Sequence, residues 1–152
     1  MKSFTNQTDV DEILSRLARL QPNAKPLFGR MSPGTMLCHV SDSLRSAMGG
    51  KSASSVENWF MRTVVKWIAL RAPIRWRAGF PTRPEMDPER GGTRPTTFHQ
   101  DRASLMGLTR RFAKVEDEAQ FARHPAFGKM TRAEWMRWGY LHADHHLRQF
   151  GV

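Results

Sequence analysis

TRAEWMRWGYLHADHHLRQF, residues 131–150, reads as a single capped helix. Thr131 is the N-cap and Glu134, three residues on, completes a capping box. At about 100° per residue, His142 and His146 lie one turn apart and only about 40° around the axis. Trp135, Met136, Gly139, Ala143, Leu147 and Phe150 fill the adjoining arc, so the pair sits at the edge of the face that turns inward. His145 points elsewhere, beside Leu141 and Trp138. Two imidazoles on one face compete for the same partners unless a metal satisfies both. The pair is not the zinc-protease signature, which places a glutamate general base directly after the first histidine; this chain has Ala143 there.

A third ligand has to come from another helix. Ser32 as N-cap and Pro33 in the first turn open one that stops at Gly49-Gly50. On its wheel His39 borders the apolar arc of Met36, Val40, Leu44 and Ala47, with Thr35, Ser43 and Ser46 on the other side. That border suits a pocket wall. Cys38 points about 100° away from His39, so a Cys/His nucleophile pair is not expected and Cys38 reads as structural. His99, near a proline-rich stretch, and His124, before Pro125, read as exposed or turn residues.

Three further helices complete the pattern. Thr8 to Leu20 carries Val10, Ile13, Leu14, Leu17 and Leu20 at helical spacing, with Thr8 as cap and Pro22 beyond the end. A third helix is expected from about Val56 to Leu70 and a fourth from about Asp101 to Glu118. Between them Pro73, Pro81, Pro84, Pro88 and Pro95, with Gly79, Gly91 and Gly92, make residues 72–96 a long irregular connection. A connection of that length is usually functional or mobile. No sustained alternation with β-branched residues appears. The expectation is an all-α single domain, residues 1–152: a bundle of four long helices, with the proline-rich connection between the third and fourth.

Bulk properties narrow the function classes. In 152 residues, 39% hydrophobic and 25% charged, there is enough apolar material for one core, so disorder is not expected. One cysteine excludes an internal disulfide, and a polar N-terminus with no bilayer-length apolar run leads to a cytoplasmic protein without a transmembrane segment. The net charge of +10 keeps nucleic acid and anionic membrane as candidate partners. Trp59, Phe60, Trp67 and Trp76 interleave with Arg62, Lys66, Arg71, Arg75 and Arg77, but four amphipathic helices need apolar faces, so these aromatics are expected to be buried. The basic residues read as scattered, and no specific nucleic-acid partner is expected.

The chain resembles the DinB/YfiT-like superfamily of metal-dependent enzymes. The resemblance rests on Phe28-Gly29-Arg30-Met31-Ser32-Pro33, on Met36 through Asp42, on Phe80 through Glu85, and on His124 through Thr131 followed by Trp135 and His142 to Phe150. It is closest to a branch of the superfamily without an established activity. It implies a four-helix bundle of up-down-down-up order and a homodimer. It also implies a metal on His39, His142 and His146, the same three histidines the helical wheels select. Characterised members are thiol-dependent transferases and isomerases, which implies a low-molecular-weight thiol as co-reactant.

Three neutral histidines leave a divalent ion with open positions, the pattern of a catalytic site. Such an ion lowers the pKa of bound water to about 7 or deprotonates a bound thiol. Histidine-only ligation fits zinc, nickel, copper or iron, with zinc and nickel foremost. Asp42 and Asp144 read as solvated or as supports to the ligands, and Glu85 as a weaker candidate for proton transfer. The function expected is a metal-dependent transferase or hydrolase acting on a small molecule. The alternatives are a metal-stabilised binding scaffold without turnover, and a basic protein binding nucleic acid or anionic membrane.

Overall fold

The punctuation in the sequence starts and stops five α-helices in the computed structural model: α1 (Gln7–Arg19), α2 (Pro33–Ala47), α3 (Lys66–Arg71), α4 (Phe98–Ala113) and α5 (Arg132–Arg148). The structure describes residues 1–76, 78–79 and 81–152, and among these there is no strand. Arg77, counted among the basic residues of the third helix, and Phe80, which opens one block of the resemblance, lie outside the described residues. The all-α expectation holds at that level.

Local chemistry explains the helix ends. Ser32 Oγ accepts from the Thr35 amide and Pro33 occupies the first turn of α2. Thr131 and Glu134 form the reciprocal capping box on α5. Helix α4 begins three residues before the expected Asp101, because Thr97 caps it through the Gln100 amide and Asp101 instead accepts from the Thr96 amide and hydroxyl. It ends at Ala113 and not Glu118. Helix α1 opens after Asn6, one residue ahead of Thr8, and Asp9 turns back to accept from the Ser3 amide.

Helices α1, α2, α4 and α5 bury Ile13, Leu17, Met36, Leu37, Val40, Leu105, Phe112, Trp135, Met136 and Leu147 between them. Gly139 lets Phe112 and Phe4 cross α5 closely: a Cβ there would stand 2.7 Å from the Phe112 ring and 3.0 Å from Phe4. Arg16 of α1 ion-pairs with Asp144 of α5 at 2.7 Å, and Arg102 of α4 donates to the Ala18 and Leu20 carbonyls, satisfying the end of α1.

The third helix departs from expectation. Residues 56–58 are not helical, because the Val56 amide is taken by the Pro125 carbonyl. The helix then opens with a π turn, Met61–Val65, before α3. A π turn is wider than an α turn, so the angular offset of Met61 to Val65 is largely cancelled by that of Val65 to Ala69. These three, four residues apart, therefore stay on one side and pack against the core with Leu70. Of the four aromatics expected inside, Trp59, Phe60 and Trp67 are 71%, 54% and 63% exposed, while Trp76 is half-buried against the core. The segment carries apolar residues on both sides, and the inward side is taken by the smaller ones.

The connection is anchored over residues 83–96. The Asp42 carboxylate, fully buried, accepts from the Thr93 amide and hydroxyl at 2.7 Å each, from Lys51 at 2.9 Å and from Arg45 at 3.0 Å. Burial alone would raise its pKa; the hydrogen bonds from Lys51 and Thr93 outweigh this and hold it below the ordinary value. Asp42 is thus the clamp joining α2 to the connection; it is neither solvated nor hydrogen-bonded to a histidine of the cluster, the two roles expected of it. A 3-10 turn, Pro84–Met86, lies against α2 and buries Met86.

Candidate metal centre

Helices α2 and α5 face each other where His39, His142 and His146 project, and the three side chains are only 7–8% exposed. Their ring centroids form a nearly equilateral triangle: 5.1 Å from His39 to His142, 4.8 Å from His39 to His146, and 4.9 Å from His142 to His146. One nitrogen from each lies within 4.8 Å of the others.

The outer nitrogens determine which way the inner ones point. His39 Nδ1–H donates to the Met86 carbonyl at 2.9 Å, leaving a lone pair on Nε2. Gln149 Nε2 donates to the Phe28 carbonyl at 2.8 Å, so its Oε1 faces His146 and accepts from His146 Nδ1–H at 3.2 Å. His146 Nε2 is likewise left as an acceptor. These are the second partners that orient metal-ligating histidines elsewhere. The Nε2 atoms of His39 and His142 stand 3.1 Å apart. Two nitrogens on one tetrahedral zinc are about 3.3 Å apart for Zn–N bonds of about 2.0–2.1 Å, so the spacing fits an ion. His142 Nδ1 is buried without a hydrogen-bond partner.

Burial first, and then mutual repulsion of the imidazoles, holds His142 and His146 far below the usual histidine range. Burial also lowers His39, partly offset by the Met86 carbonyl and by Asp42 and Asp87. All three are neutral ligand forms at pH 7.

The other candidates fall elsewhere. His145 rests on Phe28, with ring centroids 5.3 Å apart, and near Trp76; it is not one of the three. Burial, with the charges of Asp101 and Asp42, pushes the Cys38 thiol up to about 11, which suits a packing role. Asp144 is engaged by Arg16 and Arg148. Glu85 is held below the ordinary carboxylate range by its own amide and by Ser54, whose amide it accepts at 3.1 Å, and so serves as a tether. His99 is exposed. His124 is a turn residue with structural content: its Nδ1 accepts the Ala126 and Phe127 amides, both at 3.1 Å, and its ring stacks on Phe127. The wheels missed the Met86 carbonyl, Gln149 and Trp76, whose ring centroid is 6.2 Å from that of His142. Of these only Gln149 left a signal, three residues after His146 on the same helical side.

A family model described as protein of unknown function (DUF1569) matches residues 3–151. No curated protein and no solved structure matches the chain. The match takes in every block on which the DinB/YfiT resemblance rested, and that assignment is corrected. A histidine pair one turn apart facing a third histidine is what any helical three-histidine centre requires, so the motif does not discriminate between families. The chain belongs to the DUF1569 family.

Proposed function

We propose that the protein is a metal-dependent enzyme, with one divalent transition ion held by His39, His142 and His146, on a frame of the four long helices α1, α2, α4 and α5. The observation that carries the reading is the orientation of the outer nitrogens. Met86 and Gln149 occupy His39 Nδ1 and His146 Nδ1, leaving both Nε2 lone pairs free, and that of His39 stands 3.1 Å from His142 Nε2. Three uncharged imidazoles clustered with no carboxylate hydrogen-bonded to any of them are otherwise hard to account for in a core. Three protein ligands leave coordination positions open, and an ion so held supplies an activated water or a bound thiolate. The chain's own residues keep the ligands neutral, fix the tautomers of His39 and His146, and wall the site with Trp76 and Met86, which supports chemistry on a small substrate of transferase or hydrolase type.

Metal analysis of purified protein is the first test. Alanine at His39, His142 or His146 abolishes metal content and alanine at His145 does not; full metal in the His142→Ala and His146→Ala proteins sinks the centre. Chelation lowers the melting temperature of wild type, since at free metal about 100 times Kd the ion contributes ~2.7 kcal/mol. Metal-loaded protein is then screened with low-molecular-weight thiols plus electrophiles, and separately with esters and amides. Turnover lost in His39→Ala supports the enzyme, and the need for thiol separates transferase from hydrolase. Metal bound by all three histidines, with equal rates in wild type and His39→Ala, hands the site to the scaffold reading.

A further inference from the structure

The outward side of the third helix is apolar without a partner. Seven of the nine exposed large apolar side chains among the described residues lie between Val56 and Ile74. Phe60, Val64, Trp67 and Ile68 follow the spacing of a single helical stripe, with Trp59 and Ile74 at its ends. A patch so concentrated is not the usual scatter of surface apolar residues. Its charge is equally one-sided. Residues 58–84 hold Arg62, Lys66, Arg71, Arg75, Arg77 and Arg83 and no aspartate or glutamate, so this stretch carries more than half of the net +10. Lys66 reaches inward to Glu134 at 3.0 Å, while Arg62, Arg71 and Arg75 are exposed.

We infer that this face docks on the surface of an anionic phospholipid bilayer. A helix lying in the interface needs an apolar side seated at the headgroup boundary, tryptophan at that depth, and cations level with the phosphates; this segment has all three. The π turn contributes by keeping Met61, Val65 and Ala69 inward, so docking exposes nothing of the core. Charge complementarity separates this occupant from the others. A second copy meeting the same face would set the arginines of both chains against each other with no acidic residue in the stretch to pair them. Single-stranded nucleic acid would match the charge and find rings in Trp59, Phe60 and Trp67, but it would leave Val64, Ile68 and Ile74 without the apolar partner that a bilayer supplies.

Co-sedimentation of the full chain with phosphatidylcholine vesicles, with and without phosphatidylglycerol, tests the inference. Binding is expected to the anionic vesicles only, with a blue shift of tryptophan emission, and to weaken as salt is raised. Arg62→Gln with Arg71→Gln is expected to lower it about thirtyfold, from about 1 kcal/mol for each cation at an anionic surface. Trp59→Ala with Trp67→Ala is expected to abolish the blue shift. All four side chains are exposed, so unchanged circular dichroism and melting temperature certify the fold of each variant. Absence of sedimentation at low salt overturns the inference, as does binding indifferent to both double variants. Self-association lost in the tryptophan variant, or oligonucleotide binding through those tryptophans without vesicle binding, also overturns it by assigning the face to another occupant.

Discussion

Gln149 uses both ends of its amide, one on the Phe28 carbonyl and the other on His146. Its position depends on Gly29, which has φ +73° and whose place, given a Cβ, would put that atom 2.7 Å from Gln149 Nε2. The segment before α2 therefore helps set the tautomer of His146 on α5. Replacing Gln149 by leucine keeps the volume and removes the acceptor, which frees His146 to rotate or to protonate the wrong nitrogen. Metal affinity should fall about 10- to 100-fold, read by competition with a coloured chelator. Unchanged affinity would show that packing alone orients His146. His39, His142 and His146 were legible in the sequence because helical phase is a local property. The Met86 carbonyl was not, since it reaches His39 from 47 residues away and a backbone acceptor leaves no side-chain signature.

Helix ends behaved similarly. Ser32, Pro33, Thr131 and Glu134 announce themselves within four residues of the ends they form. The third helix did not, because apolar residues on both of its sides satisfy a helical pattern whichever is buried. Only the packing of Met61, Val65 and Leu70 decides between them. The connection was legible from its prolines and glycines but its anchoring at Thr93 was not, since the Asp42 clamp joins residues 51 apart. Asp42→Asn removes the charge that gathers Lys51, Arg45 and Thr93. It should cost about 2–3 kcal/mol in urea unfolding, the scale of hydrogen bonds to a buried charge, and open the 88–96 stretch to limited proteolysis. The clamp should also fail in acid: a carboxylate held low stabilises the fold above its ordinary value of 3.8 and stops doing so as the pH falls through the folded-state value.

Over the whole molecule, the buried histidines set a second and earlier acid limit. Burial lowers His124 from 6.5 to about 3. Between those values the unfolded chain binds a proton that the folded chain refuses, so stability is full above about pH 6.5 and declines as the pH drops. The slope is about 1.4 kcal/mol per pH unit for each such histidine, and His142 and His146 act in the same direction. Asparagine at 124 offers Oδ1 where Nδ1 accepts the two amides. In metal-free protein, His124→Asn should flatten the dependence below pH 6.5 by about one proton's worth, measured by urea unfolding across pH. An unaltered slope would place the titration elsewhere. No helix among the described residues is long and apolar enough to cross a membrane.

His39 and His142 are 103 residues apart. On a ribosome, His39 has long left the exit tunnel before the second and third ligands are synthesised, so a nascent chain can offer an ion only one of its three grips. The triangle is assembled when α5 docks, and α5 docks through Trp135, Met136 and Leu147, which need no ion. An ion taken up by the proposed centre would thus arrive late in the life of the chain, once α5 has docked, and its identity would be set by which ion is present then rather than by the assembly of the fold.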